Sequence, residues 1–135
     1  MRHRYVELPD ETRLPRPALL VHLEGLSEAP LRCLVDSGSV ANRLPATLAT
    51  LAGLSLDDAL DEDRIAIAGL TTTGWLLRAG VTVSGETLDL PIWFCDPWPW
   101  SFGLLGQEGF FRHFRVTFCA AEGWLEVVRE SEPNR

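Results

Sequence analysis

The sequence predicts an all-β fold. Short apolar runs rich in Val, Leu, Ile, Thr and aromatic residues recur along the 135 residues, and clusters of Gly, Pro, Ser and acidic residues punctuate them. Helical spacing is confined to two brief segments, 45–52 and 107–114. The length suits one domain with a real core.

Residues 1–17 hold three prolines and many charges, which predicts an extended N-terminal arm with a short strand at 5–8. Residues 18–24 and 31–35 read as a hairpin around a turn at 25–30. Pro45 opens a short helix where its missing N–H costs little, Gly53 closes it, and Leu44, Leu48 and Leu51 share a face. Segment 57–64 holds five acidic residues without the ligand alternation and glycine of a calcium loop, so it is expected to be a solvated turn. Strands at 64–68 and 74–83 then flank Gly69, Leu70, Thr71, Thr72, Thr73 and Gly74, a glycine-bracketed stretch that suggests a long mobile hairpin loop. A strand at 87–95 runs into a stiff connector, Asp96-Pro97-Trp98-Pro99-Trp100-Ser101. This is either packing for the core or a wall for a cleft. A buried strand at 102–106, a helix at 107–114 and a hairpin of 116–120 with 124–128 complete a domain spanning 18–128. Residues 129–135 are expected to be a frayed tail.

Several functions are disfavoured. A net charge of −7, no lysine and scattered arginines argue against nucleic acid. Cys33, Cys95 and Cys119 lie in apolar runs without metal-ligand spacing and read as small buried hydrophobes. No run reaches membrane-spanning length and the first residues lack the apolar stretch of a secretion signal, so a reducing, cytoplasmic setting is expected.

The stretch most suggestive of chemistry is Leu31-Arg32-Cys33-Leu34-Val35-Asp36-Ser37-Gly38-Ser39, an apolar strand that stops at a carboxylate, a hydroxyl and a glycine. Asp-Ser-Gly is ordinary turn chemistry. A carboxylate leaving a buried strand nevertheless needs donors, and Ser37, Ser39 and the amides around Gly38 are nearest. With the helix after it, the glycine-bounded hairpin, the proline connector and Leu104-Leu105-Gly106 before a last helix and hairpin, the chain resembles the retropepsin-like aspartic proteases over roughly residues 18–128.

That resemblance implies a closed β-barrel or sandwich of short strands with one or two short helices and a flap hairpin, active as a homodimer. Asp36 would be the catalytic aspartate, Ser37 a hydroxyl linking the two active-site loops, and Gly38 the residue that admits substrate. Gly69, Leu70, Thr71, Thr72, Thr73 and Gly74 would be the flap. Trp98, Trp100 and Leu104 would line the side-chain subsites, and Leu105 with Gly106 would support the loop. Two aspartates share a proton and activate water, so neither metal nor cofactor is implied, and the partners are a second copy and a peptide or protein substrate. The chain ends would interleave in a shared sheet, with 5–8 and 124–128 as candidates. Val40 and Gln107 stand where many retroviral members carry an Asp and an Arg that pair near the dimer contact. Ser39 replaces the usual Ala, and its hydroxyl is expected to favour the charged carboxylates and move the pH optimum toward acid. The same fold used without catalysis, as a peptide-binding or dimerisation module, is the alternative, and an unrelated small barrel in which Asp36 is only a turn residue is a third.

Overall fold

The computed structural model describes residues 1–9 and 14–130. Its strands are β1 (Arg2–Arg4), β2 (Ala18–Leu23), β3 (Leu31–Val35), β4 (Arg43–Pro45), β5 (Asp61–Ile67), β6 (Leu70–Val83), β7 (Glu86–Asp96), β8 (Gly103–Leu105), β9 (Phe114–Cys119) and β10 (Trp124–Arg129), with one short helix, α1 (Ala46–Leu51), after β4. In the larger sheet the order is β2-β3-β8-β4-β7-β6-β5, and β6 also pairs with β2. Six strands, β2 to β6 in that order, thereby close into a barrel, and β5 is added outside it on β6.

Closure rests on the length of β6. Its first half, from Leu70 to Leu76, pairs with β5, while Val81–Val83 pairs with β2, and β7 follows it from Thr73 to Val83. Alternation decides which side is buried: Leu77, Ala79, Val81 and Val83 point into the barrel with Leu90, Ile92 and Phe94 of β7. Leu19, Val21, Cys33, Val35, Leu44 and Phe110 complete this main core. Leu8, Ala18, Leu34, Phe102 and Leu104 form a smaller cluster, partly covered by Val6, Trp98 and Trp100. A second sheet, β1-β10-β9, packs Leu125 and Val127 onto the main core.

Several expectations need correction. The N-terminal strand is Arg2–Arg4 and not 5–8; of that span only Val6 makes a bridge, to Arg16. The acidic segment is no continuous turn. Ser55 Oγ accepts the Asp57 amide at 3.3 Å to cap a single 3-10 turn, and Asp61, Glu62 and Asp63 already belong to β5. The expected hairpin is present but its second strand starts earlier, because Leu70–Gly74 lies within β6 and the chain turns on two residues, Ala68 (φ 50°) and Gly69 (φ 80°). Ala68 hid that turn, since an L-residue in the left-handed region is uncommon. The helix expected over 107–114 is one wide turn, Gln107–Phe111, and Phe114 starts β9. Cys119 is half-exposed, not buried, with its thiol 3.4 Å from Glu122 Oε2.

At the C-terminal end Arg129 is still paired in β10, opposite Phe114, and the Glu130 amide reaches the His113 carbonyl. The expected frayed tail falls mainly on 131–135, which like 10–13 of the arm lie outside the described residues. Among the described residues no helix is long and apolar enough to cross a membrane.

Candidate active site

Asp36 follows β3 where the barrel chain turns outward. The strand is held to its last residue: the Val35 amide donates to the Pro17 carbonyl at 2.8 Å, and the Asp36 amide to the Leu105 carbonyl at 2.9 Å, extending the parallel β3–β8 ladder. Beyond it the chain reverses, with the Ser39 amide donating to the Asp36 carbonyl at 3.1 Å and the Gly38 amide to Asp36 Oδ1 at 2.9 Å. A backbone amide donating to the carboxylate fixes its rotamer. Ser37 and Gly38 are exposed and Asp36 is half-exposed, so the carboxylate stands at the surface of the single chain.

The turn rests on the segment after β8. Gly106 must be glycine for space: a Cβ there would lie 2.5 Å from the Ala41 carbonyl oxygen and 2.7 Å from that of Ser39. The Gln107 and Glu108 amides donate to the carbonyls of Ser39 (2.9 Å) and Val40 (2.8 Å). The Gln107 side chain adds a bond from Nε2 to the Ser37 carbonyl at 2.7 Å. Thus Asp36, Ser37, Gly38, Ser39, Leu105 and Gly106 come together. Gln107, noted in the sequence as a lost charge, here ties the turn down as a neutral amide.

Asn42 was missed. It is 1% exposed, accepts the Gly106 amide on Oδ1 (3.0 Å) and donates Nδ2 to the Pro91 carbonyl (3.2 Å), while its own carbonyl takes the Trp93 amide. Its amide occupies the place where a Cβ of Gly109 would be, 2.1 Å away, which is why the turn at 107–111 winds around it. The sequence signal was an amide inside the apolar run Val40-Ala41-Asn42-Arg43-Leu44, where an unpaired side chain would be costly.

Ser39 does not act as expected. Its hydroxyl donates to the Ala41 carbonyl at 2.8 Å, within its own loop, and not to a carboxylate. Trp98 donates Nε1 to the Phe102 carbonyl at 2.8 Å, meets Trp100 edge to face at 5.6 Å, and Trp100 stacks on Phe102 at 5.2 Å. The two indoles are half-buried, whereas Leu104 is only 7% exposed. All three pack with Leu34, two residues before Asp36 and on the same side of the strand. Thr72, fully buried, hydrogen-bonds through its hydroxyl to the Pro97 carbonyl and so joins the β5–β6 hairpin to the proline connector, while Gly69 and Leu70 lie exposed at the tip. A separate groove between β1 and the outer face of β2, lined by Arg2, His3, His22 and Arg32, does not include Asp36. Among the described residues no three His, Cys, Asp or Glu side chains converge as metal ligands.

No family model and no curated protein matches the sequence. Solved structures do. A retropepsin-like aspartic protease from Rickettsia conorii superposes with a TM-score of 0.60 at 13% identity, covering 95% of this chain and 98% of that one. The EIAV protease, in complex with the inhibitor HBY-793, gives a TM-score of 0.50 at 16% identity over 71% of this chain and 86% of that one. At such identities the likeness speaks of architecture, and with the six-stranded barrel and the glycine-supported turn after β3 it establishes that this chain has the retropepsin-like fold.

Proposed function

We propose that the protein is an aspartic endopeptidase assembled from two copies of this chain. The observation that carries the proposal is the Asp36 turn, a carboxylate oriented by the Gly38 amide and braced from below by Gly106, Gln107 and Asn42, yet left open at the surface of one chain. A carboxylate built so firmly and left unpaired suits one that meets its own copy across a two-fold axis. Two such groups about 3 Å apart cannot both ionise easily, so they hold one proton between them. The ionised member takes a proton from water, and the protonated one donates to the scissile carbonyl as the water oxygen bonds to carbon. No covalent intermediate with the protein is formed.

In this arrangement the β5–β6 hairpin, with Gly69 through Gly74, closes over the peptide, and Trp98 and Trp100 favour large apolar side chains beside the cleaved bond. Val40, 72% exposed beside the turn, would be covered by the partner. With β1 in place the partner cannot add directly to 124–128, because β10 already has β1 on one side and β9 on the other. The outer edges of β1 and β9 remain, or an exchange of β1 between copies that keeps the same ladder. The free thiols Cys33, Cys95 and Cys119 suit a reducing, cytoplasmic setting.

The test is peptide-library cleavage by wild type and Asp36→Asn, with binding of a statine-type inhibitor and sedimentation in parallel. Wild type should cleave next to large apolar residues, and Asp36→Asn should lose roughly 10²–10⁴-fold in kcat. Equal cleavage by both would end the proposal. Peptide binding by wild type without cleavage would make the chain a recognition module on the same fold.

A further inference from the structure

On the face of the sheet turned away from the main core, one row of residues crosses four strands. Arg43 of β4 pairs with Trp93 of β7, Cys95 of β7 with Gly74 of β6, and Gly74 with Asp63 of β5. The Arg43 side chain lies along this row. Its guanidinium carbon is 5.5 Å from the centre of the Trp93 ring, Nη1 is 3.6 Å from Cys95 Sγ, and Nη2 is 3.4 Å from Asp63 Oδ2. The two charged side chains are 12% and 30% exposed, which removes them from the weak class of surface pairs. Among the described residues Asp63 Oδ1 is buried with no hydrogen-bond partner, so compensation of that carboxylate falls on Arg43. The arginine can cross β6 only because residue 74 is glycine: a Cβ there would lie 2.8 Å from Asp63 Oδ1 and 3.2 Å from Arg43 Nη1.

The two ends of this row belong to different working parts. Arg43 follows Asn42, the residue that bonds to Gly106 under the Asp36 turn. Asp63 belongs to β5, whose ladder among the described residues runs to β6 alone and whose later residues Ile65 and Ile67 share its side of the strand. We propose that Arg43 and Asp63 are positioning residues, a latch across the sheet that holds the outer strand of the β5–β6 hairpin to the scaffold of the Asp36 turn and so sets where Ile65, Ile67 and Leu70 stand over a bound peptide. The latch itself is independent of the peptidase reading; its effect on turnover rests on that reading.

Hydrogen exchange on Asp63→Asn, Arg43→Met and the double variant Arg43→Met/Asp63→Leu tests the latch without needing activity. The double variant removes both charges at once and guards against simple failure to fold. Exchange at residues 64–71 should rise about tenfold in all three, the scale of losing one charge-assisted contact, with β2 and β3 unchanged in the double variant. Peptide KM should rise by about the same factor with kcat nearly constant, since the hairpin binds substrate without touching the reacting atoms. Arg43→Lys, which keeps the charge but not the fork, should recover only part of the loss. Unaltered exchange at 64–71, or a rise shared equally by the whole barrel, overturns the latch. If wild type cleaves no peptide, the peptidase reading fails while the exchange result still decides the latch.

Discussion

Asn42 illustrates how much of this site hangs on single buried atoms. It satisfies the Gly106 amide and the Pro91 carbonyl at once, so Asn42→Leu strands one buried and one part-buried backbone group and should cost about 1–3 kcal/mol in a denaturant titration. Gln107→Leu removes only the bond to the Ser37 carbonyl at the exposed turn; stability should fall by about 1 kcal/mol or less while kcat falls further, because the turn loses its brace. Ser39→Ala should leave the pH profile of cleavage unchanged, since that hydroxyl is spent on Ala41. Cys33 gives a pH dependence of a different kind. Burial pushes its thiol from 9.0 up to about 12, against a smaller opposing effect of a hydrogen bond with the Gly103 backbone. Between those values the unfolded chain has lost a proton that the folded chain keeps, so stability is full below pH 9 and falls as pH rises toward 12. Thermal melts across that range should show the decline, and Cys33→Ala should flatten it. From sequence, the Asp36 turn was legible as an apolar strand running into Asp-Ser-Gly, and its glycine support only through the resemblance to the retropepsin-like proteases. Asn42 and the bond of Ser39 were not, because a side chain's partner depends on which distant backbone atoms the fold delivers to it.

Strands with clean alternation and marked turns were the legible elements. The β2–β3 and β9–β10 hairpins fall close to where the spacing put them, since marked turns bound each apolar run, although β3 ends buried on both faces. Errors gathered where polar residues form strands. Asp61, Glu62 and Asp63 look solvated, and Leu70–Gly74 looks like a loop, because the outer half of the β5–β6 hairpin has little core to bury and its pairing comes from backbone bonds. The helix expected after Gly106 failed because Gly109 gives way to the Asn42 amide and Phe114 is drawn into the core as the first residue of β9. The tight hairpin carries its own prediction. Ala68 at φ 50° holds a conformation that costs an L-residue about 1 kcal/mol or more, a cost a glycine avoids. Ala68→Gly should therefore leave the protein as stable as wild type or up to about 1 kcal/mol more so, whereas Ala68→Val should lower the melting temperature and raise exchange at the tip.

At the scale of the whole molecule, the barrel, its added hairpin and its terminal sheet leave the Asp36 carboxylate at the surface of one chain, where the proposed function requires a second copy. In the proposed dimer a partner would cover Val40, exposed next to the open Asp36 turn, and a shared sheet would use the outer edges of β1 and β9 or an exchange of β1, because β10 is already flanked within one chain. If the proposed function holds, the active unit contains two equivalent carboxylates from two chains, and that property is open to test. Wild type mixed with an equal amount of Asp36→Asn and allowed to exchange subunits should form wild-type pairs about one quarter of the time, mixed pairs half the time and variant pairs in the remainder. If both carboxylates are required, activity per total chain in the mixture falls to about one quarter of pure wild type, and not to the one half expected when each chain works alone. Dilution should lower specific activity in the same preparation, and Val40→Asp, which would set two like charges close together at the contact, should steepen that loss. A mixture retaining half the activity, with no dependence on dilution, would mean that Asp36 works without its twin.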